Sequence, residues 1–178
     1  MGLDITLGTM EGTSTHSTPA QPTPAISGKV AVITGGASGM GRAMAHRFGA
    51  AGARVVVADI EEPAIAATLG ELESVGVEAL GIRTDVSDGA SMDELAAAVI
   101  DRFGQADLVC LNAGVGAGGP MADLTNADWA WVLGVNLWGV IHGLRVFLPG
   151  LEERNDGHLV ITASVAGIVS YPMMGPYN

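Results

Sequence analysis

Val30-Ala31-Val32-Ile33-Thr34-Gly35-Gly36-Ala37-Ser38-Gly39-Met40-Gly41 joins a continuous apolar run to a glycine-rich turn, and an Ala-rich segment of helical pattern follows from Gly41 to Ala51. A β-strand buried on both faces reads in this way. Glycines at the strand-to-helix turn let the backbone approach a pyrophosphate closely, and the helix that follows aims its free N–H groups and positive dipole end at the same point. The spacing over Gly35, Gly39 and Gly41 is GxxxGxG and not GxGxxG, so the flanking strand and helix carry the reading. A plain tight turn would use the same glycines; the context favours dinucleotide binding, with Ser38 and Met40 beside the phosphates. The Walker spacing is excluded, because no Gly-Lys-Ser/Thr follows.

Outward from this turn the same rhythm repeats. Val55–Ala58, Ala79–Ile82, Leu108–Leu111 and Leu159–Ile161 are short apolar runs, and with Val30–Ile33 they predict five strands buried on both faces. Helices are expected near Gly41–Ala51, Pro63–Ser74, Ser91–Phe103 and Asn126–Pro149, the last with a break or short loop at its start. Such alternation specifies an α/β fold, a Rossmann-like doubly wound parallel sheet with right-handed crossovers. A strand order of 3-2-1-4-5 leaves the fifth strand at an edge, and the sheet reads as incomplete, with the last strands and a covering helix missing. Residues 1–27 are crowded with Thr, Ser and Pro and are expected to be a disordered arm, so the domain occupies 28–178.

Composition narrows the function. Glycine supplies 26 of 178 residues, about twice its usual share, which suits a binder that works through its backbone. Eight Lys plus Arg against 19 Asp plus Glu give a net charge of −11, so a nucleic-acid partner is disfavoured. No charged start followed by an apolar stretch marks a secretory signal. The apolar window Trp129–Leu148 is interrupted by Asn136, His142 and Arg145 and reads as a buried helix, not a membrane span. The lone Cys110 reads as a packing residue, and the four histidines lack metal spacing or a carboxylate to orient them. A soluble, cytoplasmic protein without a metal is expected.

Other strand ends carry candidate ligand groups. Asp59, at the end of the second strand and followed by Ile60, is an acceptor suited to both hydroxyls of an adenosine ribose. Its charge opposes a 2′-phosphate, which makes NAD the expected cofactor and NADP the lesser one; Arg42, in the first turn of the helix, is the nearby cation that complicates this. Asp85-Val86 after the third strand suits an adenine amino group and ring face. Asn112-Ala113-Gly114 follows the fourth strand, and Thr162 and Ser164 follow the fifth, with Ser164 thirteen residues before Tyr177. Asn136, an amide inside an apolar helical run, needs polar partners; the alternative to a site role is a helix-kinking residue bonded to backbone.

In this order the motifs resemble those of the classical short-chain dehydrogenase/reductase family, from Lys29 to Asn178. Thr34–Gly41 is similar to its TGxxxGxG, Asp59 to its ribose-binding acid, Asp85 to its adenine-loop aspartate, and Asn112-Ala113-Gly114 to its NAG motif. The resemblance implies hydride transfer between NAD(H) and a carbonyl or secondary alcohol, with Tyr177 as general acid or base, Ser164 holding the oxygen and Asn136 binding a water of the proton relay. Thr162 and Tyr177 are then also cofactor contacts. It further implies a small alcohol or ketone substrate and, for the complete protein, a homo-oligomer packed through the helix bearing Trp129, Trp131 and Trp138. The family's lysine, four residues after the tyrosine, would fall beyond Asn178; the chain is therefore expected to be a fragment with negligible activity of its own. A non-catalytic NAD-binding module is the alternative.

Overall fold

The structure, a computed structural model, describes residues 26–178. The arm expected over 1–27 thus lies almost wholly outside the described residues. Ile26 and Ser27 already belong to an ordered turn, in which the Lys29 N–H donates to the Ile26 carbonyl and Gly28 N–H to Gly52 O.

Five parallel strands, β1 (Val30–Thr34), β2 (Arg54–Asp59), β3 (Ala79–Arg83), β4 (Leu108–Leu111) and β5 (His158–Ile161), form one sheet in the order β3-β2-β1-β4-β5. This is the expected order. The helices are α1 (Gly39–Ala50), α2 (Glu62–Ser74), α3 (Gly89–Phe103), α4 (Asn126–Leu133) and α5 (Gly139–Arg154). Side chains alternate across the three inner strands: Val30, Val32, Val56, Val109 and Leu111 enter one core with Met92, Leu95, Phe147 and Leu151 of α3 and α5. Ile33, Val55, Val57 and Cys110 enter the other, with Ala45, Ile65 and Leu72 of α1 and α2. Each fully buried Val, Leu or Ile contributes roughly 1.5–3 kcal/mol, which is what sets the register of a sheet covered on both faces.

Three expectations are corrected. First, β3 and β5 are not buried on both faces: β3 is half-buried, and in β5 Val160 and Ile161 are exposed, because both are edge strands. Second, the long helix is interrupted in its interior, not at its start, by a π-helical turn over Gly134–Trp138, and it runs through Pro149 to Arg154. Phe147 and Leu151, one turn apart and both buried, hold the chain helical past the proline until Asn155 ends it in the left-handed region. Its start is instead firmly made, since Thr125 and Asp128 exchange side-chain and backbone hydrogen bonds in a capping box. Third, the helix is less buried than expected. Asn126–Arg154 is long and apolar enough to cross a membrane, and only 22% of its most apolar window is buried. It nevertheless covers the sheet through Gly139, Gly143, Phe147 and Leu151, while Trp131, Leu137, Trp138 and Ile141 face outward.

Candidate active site

The C-terminal ends of β1, β4 and β5 are tied into one frame. The Thr34 hydroxyl, buried, accepts the N–H groups of Asn112 at 2.9 Å and Ala113 at 3.2 Å and donates to the Cys110 carbonyl at 3.4 Å. Asn112 Nδ2 donates to the Thr34 carbonyl at 3.1 Å, and its Oδ1 accepts the Thr162 hydroxyl at 3.0 Å. The amide expected to face a ligand is therefore largely committed to joining three strands. Asn112 nevertheless lines the cavity described below, together with Ala113 and Gly114.

At the end of β1 the chain turns so tightly that a Cβ on Gly41 would stand 1.9 Å from the Gly35 carbonyl oxygen. Gly39, at φ +49°, has nothing within 4 Å of the place its Cβ would take. Ser38 caps α1 without a side-chain hydrogen bond, so its hydroxyl is not spent on the helix's first N–H groups. Asp59 lies against the turn: Oδ2 accepts the Ala37 N–H at 3.0 Å, and Oδ1 accepts the Glu61 N–H at 3.2 Å. Open space over a glycine, an uncapped helix start and a carboxylate beside them fit a dinucleotide. Ile60 is exposed next to Asp59. Arg42 points away, donating through Nε to Glu71 at 2.9 Å. His46 shares that carboxylate at 2.9 Å, so this histidine does have an acidic partner, contrary to expectation. The Arg42 hydrogen bond, and then that of His46, holds the Glu71 carboxyl below its usual range.

Beyond β3, Asp85 Oδ1 accepts both the N–H and the hydroxyl of Ser87. The Val86 side chain, expected to meet the face of an adenine ring, is buried and packs against Gly139 of α5, so it has little apolar surface left for a ligand.

A cavity of about 780 Å³ opens where these elements converge. Met40 of the glycine turn, Gly114, Thr162, Ser164 and Tyr177 line it, together with Met174, and none of its lining residues is charged. Ser164 Oγ accepts the Ala166 N–H at 3.1 Å, which leaves the hydroxyl proton available to donate. Asn136 sits in the π-helical turn, with Oδ1 accepting the Val115 N–H at 2.8 Å and Nδ2 donating to the Val115 carbonyl at 2.9 Å. The bonds to backbone are present, since Oδ1 and Nδ2 both engage Val115, and Asn136 also lines the cavity. Met174 lines the cavity, as expected of the Tyr171–Pro176 stretch between Ser164 and Tyr177; Val115 was not legible as a site residue, nor was the tie from Thr34 to Asn112, since no local pattern marks a contact made across 21 or 78 positions. Among the described residues no group of three His, Cys, Asp or Glu could hold a metal ion.

Residues 29–178 match the family model described as short chain dehydrogenase. A C alpha-dehydrogenase of Sphingobium sp. is 41% identical over 152 residues, which are 84% of this chain and 50% of that protein. A short chain dehydrogenase/reductase from Burkholderia phymatum, crystallised in complex with NAD, superposes with a TM-score of 0.84 at 50% identity, over 86% of this chain and 55% of that one. The structure of an NAD+-bound xylitol dehydrogenase superposes with a TM-score of 0.82 at 31% identity, over 85% and 59% of the two chains. The chain spans about half the length of the curated relatives it matches. With the family model matched over the whole sheet and every strand end that lines the cavity, the chain belongs to the short chain dehydrogenase family.

Proposed function

We propose that this protein is an oxidoreductase that moves a hydride between NAD(H) and the carbonyl or secondary alcohol carbon of a small molecule. One observation carries the reading: Ser164 and Tyr177, from separate segments after β5, reach the same uncharged cavity as Met40 of the glycine turn. Bound NAD would supply the hydride donor or acceptor. Asp59 would receive the ribose hydroxyls, and the first N–H groups of α1 would face the pyrophosphate. Tyr177 would pass a proton to or from the substrate oxygen, while Ser164 donates its free O–H to that oxygen. Asn136 would hold the 113–116 segment in place through Val115. The preference for NAD over NADP rests on Asp59 and on Glu71, which engages the one cation of the first helical turn; it is in keeping with a relative crystallised with NAD.

Self-association would use the outward face of Trp131, Leu137, Trp138 and Ile141, and the buried, free thiol of Cys110 suits a reducing compartment such as the cytoplasm. Calorimetric titration with NAD+ and NADP+ tests the cofactor reading: NAD+ is expected to bind at least about tenfold tighter, and Asp59→Ala to erase the difference. Equal or tighter binding of NADP+ by the unaltered protein refutes it. In the whole protein, Tyr177→Phe is expected to lower alcohol oxidation by about 10²- to 10⁴-fold with NAD+ affinity retained.

A further inference from the structure

We infer that His142 is a positioning residue for the adenine end of the cofactor. This rests on the dinucleotide reading above. The loop between β3 and α3 carries Asp85 and Val86, and one face of α5 is built against it. His142 Nδ1 lies 3.0 Å from the Val86 carbonyl oxygen. A carbonyl only accepts, so Nδ1 bears the proton and donates it. Three residues earlier, Gly139 allows the helix to close on the loop: a Cβ there would stand 2.8 Å from Val86 Cγ2. Three residues later, Arg145 Nη2 donates to the Gly89 carbonyl at 3.1 Å. Positions 139, 142 and 145 share one helical face, and all three touch the same loop.

The division of labour follows from which groups are used. Gly139 sets the distance, Arg145 holds the far end of the loop at the start of α3, and His142 fixes the rotation of the Val86 peptide. That peptide lies between Asp85 and Ser87, and Ser87 in turn donates twice to Asp85 Oδ1. Fixing it therefore fixes Asp85 Oδ2, which accepts no hydrogen bond among the described residues and is the atom left to meet an adenine amino group. The Trp138 ring, centred 5.8 Å from that of His142, backs the imidazole.

The test compares two dinucleotides by calorimetric titration: NAD+ and nicotinamide hypoxanthine dinucleotide, in which an oxo group replaces the adenine amino group. The unaltered protein is expected to prefer NAD+. His142→Ala is expected to weaken NAD+ binding about fivefold and to shrink the preference, because the group that reads the amino function is no longer held. His142→Phe keeps a ring against Trp138 but has no N–H, and it should lose the preference in the same way without loss of folding. His142→Asn, which returns an N–H near the position of Nδ1, should restore it. Variants that weaken both dinucleotides by the same factor, or neither, overturn the inference, since a purely structural role would not change the ratio. If the unaltered protein binds neither dinucleotide, the cofactor reading itself fails, and the inference falls with it.

Discussion

Replacing Thr34 with valine changes little in shape and removes one oxygen. That oxygen accepts the N–H groups of Asn112 and Ala113, and Thr34 is only 2% exposed, so water cannot take its place. A buried donor left without an acceptor costs about 1–3 kcal/mol. Both N–H groups are only partly buried, which places the expected loss at about 2–4 kcal/mol in total, a large share of a typical domain's stability. Thr34→Ser separates the causes, because it keeps the hydroxyl and deletes a methyl group, at a cost of about 1 kcal/mol. Urea denaturation monitored by circular dichroism reads both values. The valine variant should also bind NAD+ more weakly, since Ala113 and Gly114 line the cavity. A valine variant within about 0.5 kcal/mol of the unaltered protein, or a serine variant as damaged as the valine one, would refute the reasoning.

Other consequences can be measured in the same way. Gly41→Ala forces a Cβ to within 1.9 Å of a backbone oxygen, so it should cost about 3 kcal/mol and abolish NAD+ binding; Gly39→Ala meets no atom, and should cost about 1–2 kcal/mol through its positive φ alone while still blocking the cofactor, as denaturation and titration would show. Burial pushes the Cys110 thiol up to about 11, so it stays protonated at neutral pH, and a thiol reagent should label it only at the rate of unfolding. The Thr125 hydroxyl and N–H hold the Asp128 carboxyl below its usual range. The cap at the start of α4 is therefore complete above the unfolded value of about 3.9 and is lost as pH falls through the lower folded value; Thr125→Ala should flatten that acid limb of a melting-temperature profile.

The sheet could be read from the sequence because its signal is local. Each strand announces itself within four or five residues, and βα alternation with right-handed crossovers leaves few possible orders, of which 3-2-1-4-5 is that of the doubly wound dinucleotide-binding sheet. The glycine turn and Asp59 were legible for the same reason: strand ends are positions that can be counted. What the local pattern does not carry depends on long-range partners. Nothing near Asn136 says that its amide faces Val115, and nothing near Arg42 says that Glu71, 29 positions later, will engage it. A local rule puts a helix end at Pro149, but the burial of Leu151 beyond it prevails. The Thr125-Asn126-Ala127-Asp128 box, by contrast, is a local pattern that marks the start of α4.

The edge position of β5 has a consequence for handling the molecule. Among the described residues nothing pairs with its outer side, and Val160 and Ile161 present apolar surface beside open backbone groups, which is a template for another extended segment. Against this stands the net charge of −11, a long-range repulsion between copies. The repulsion decays over about 10 Å at 0.1 M ionic strength and over only about 3 Å at 1 M, whereas strand pairing and apolar contact are not screened. Colloidal stability of this chain should therefore fall as salt is added, the reverse of ordinary salting-in, and light scattering across a salt series would show association setting in first where the charge no longer keeps the edges apart.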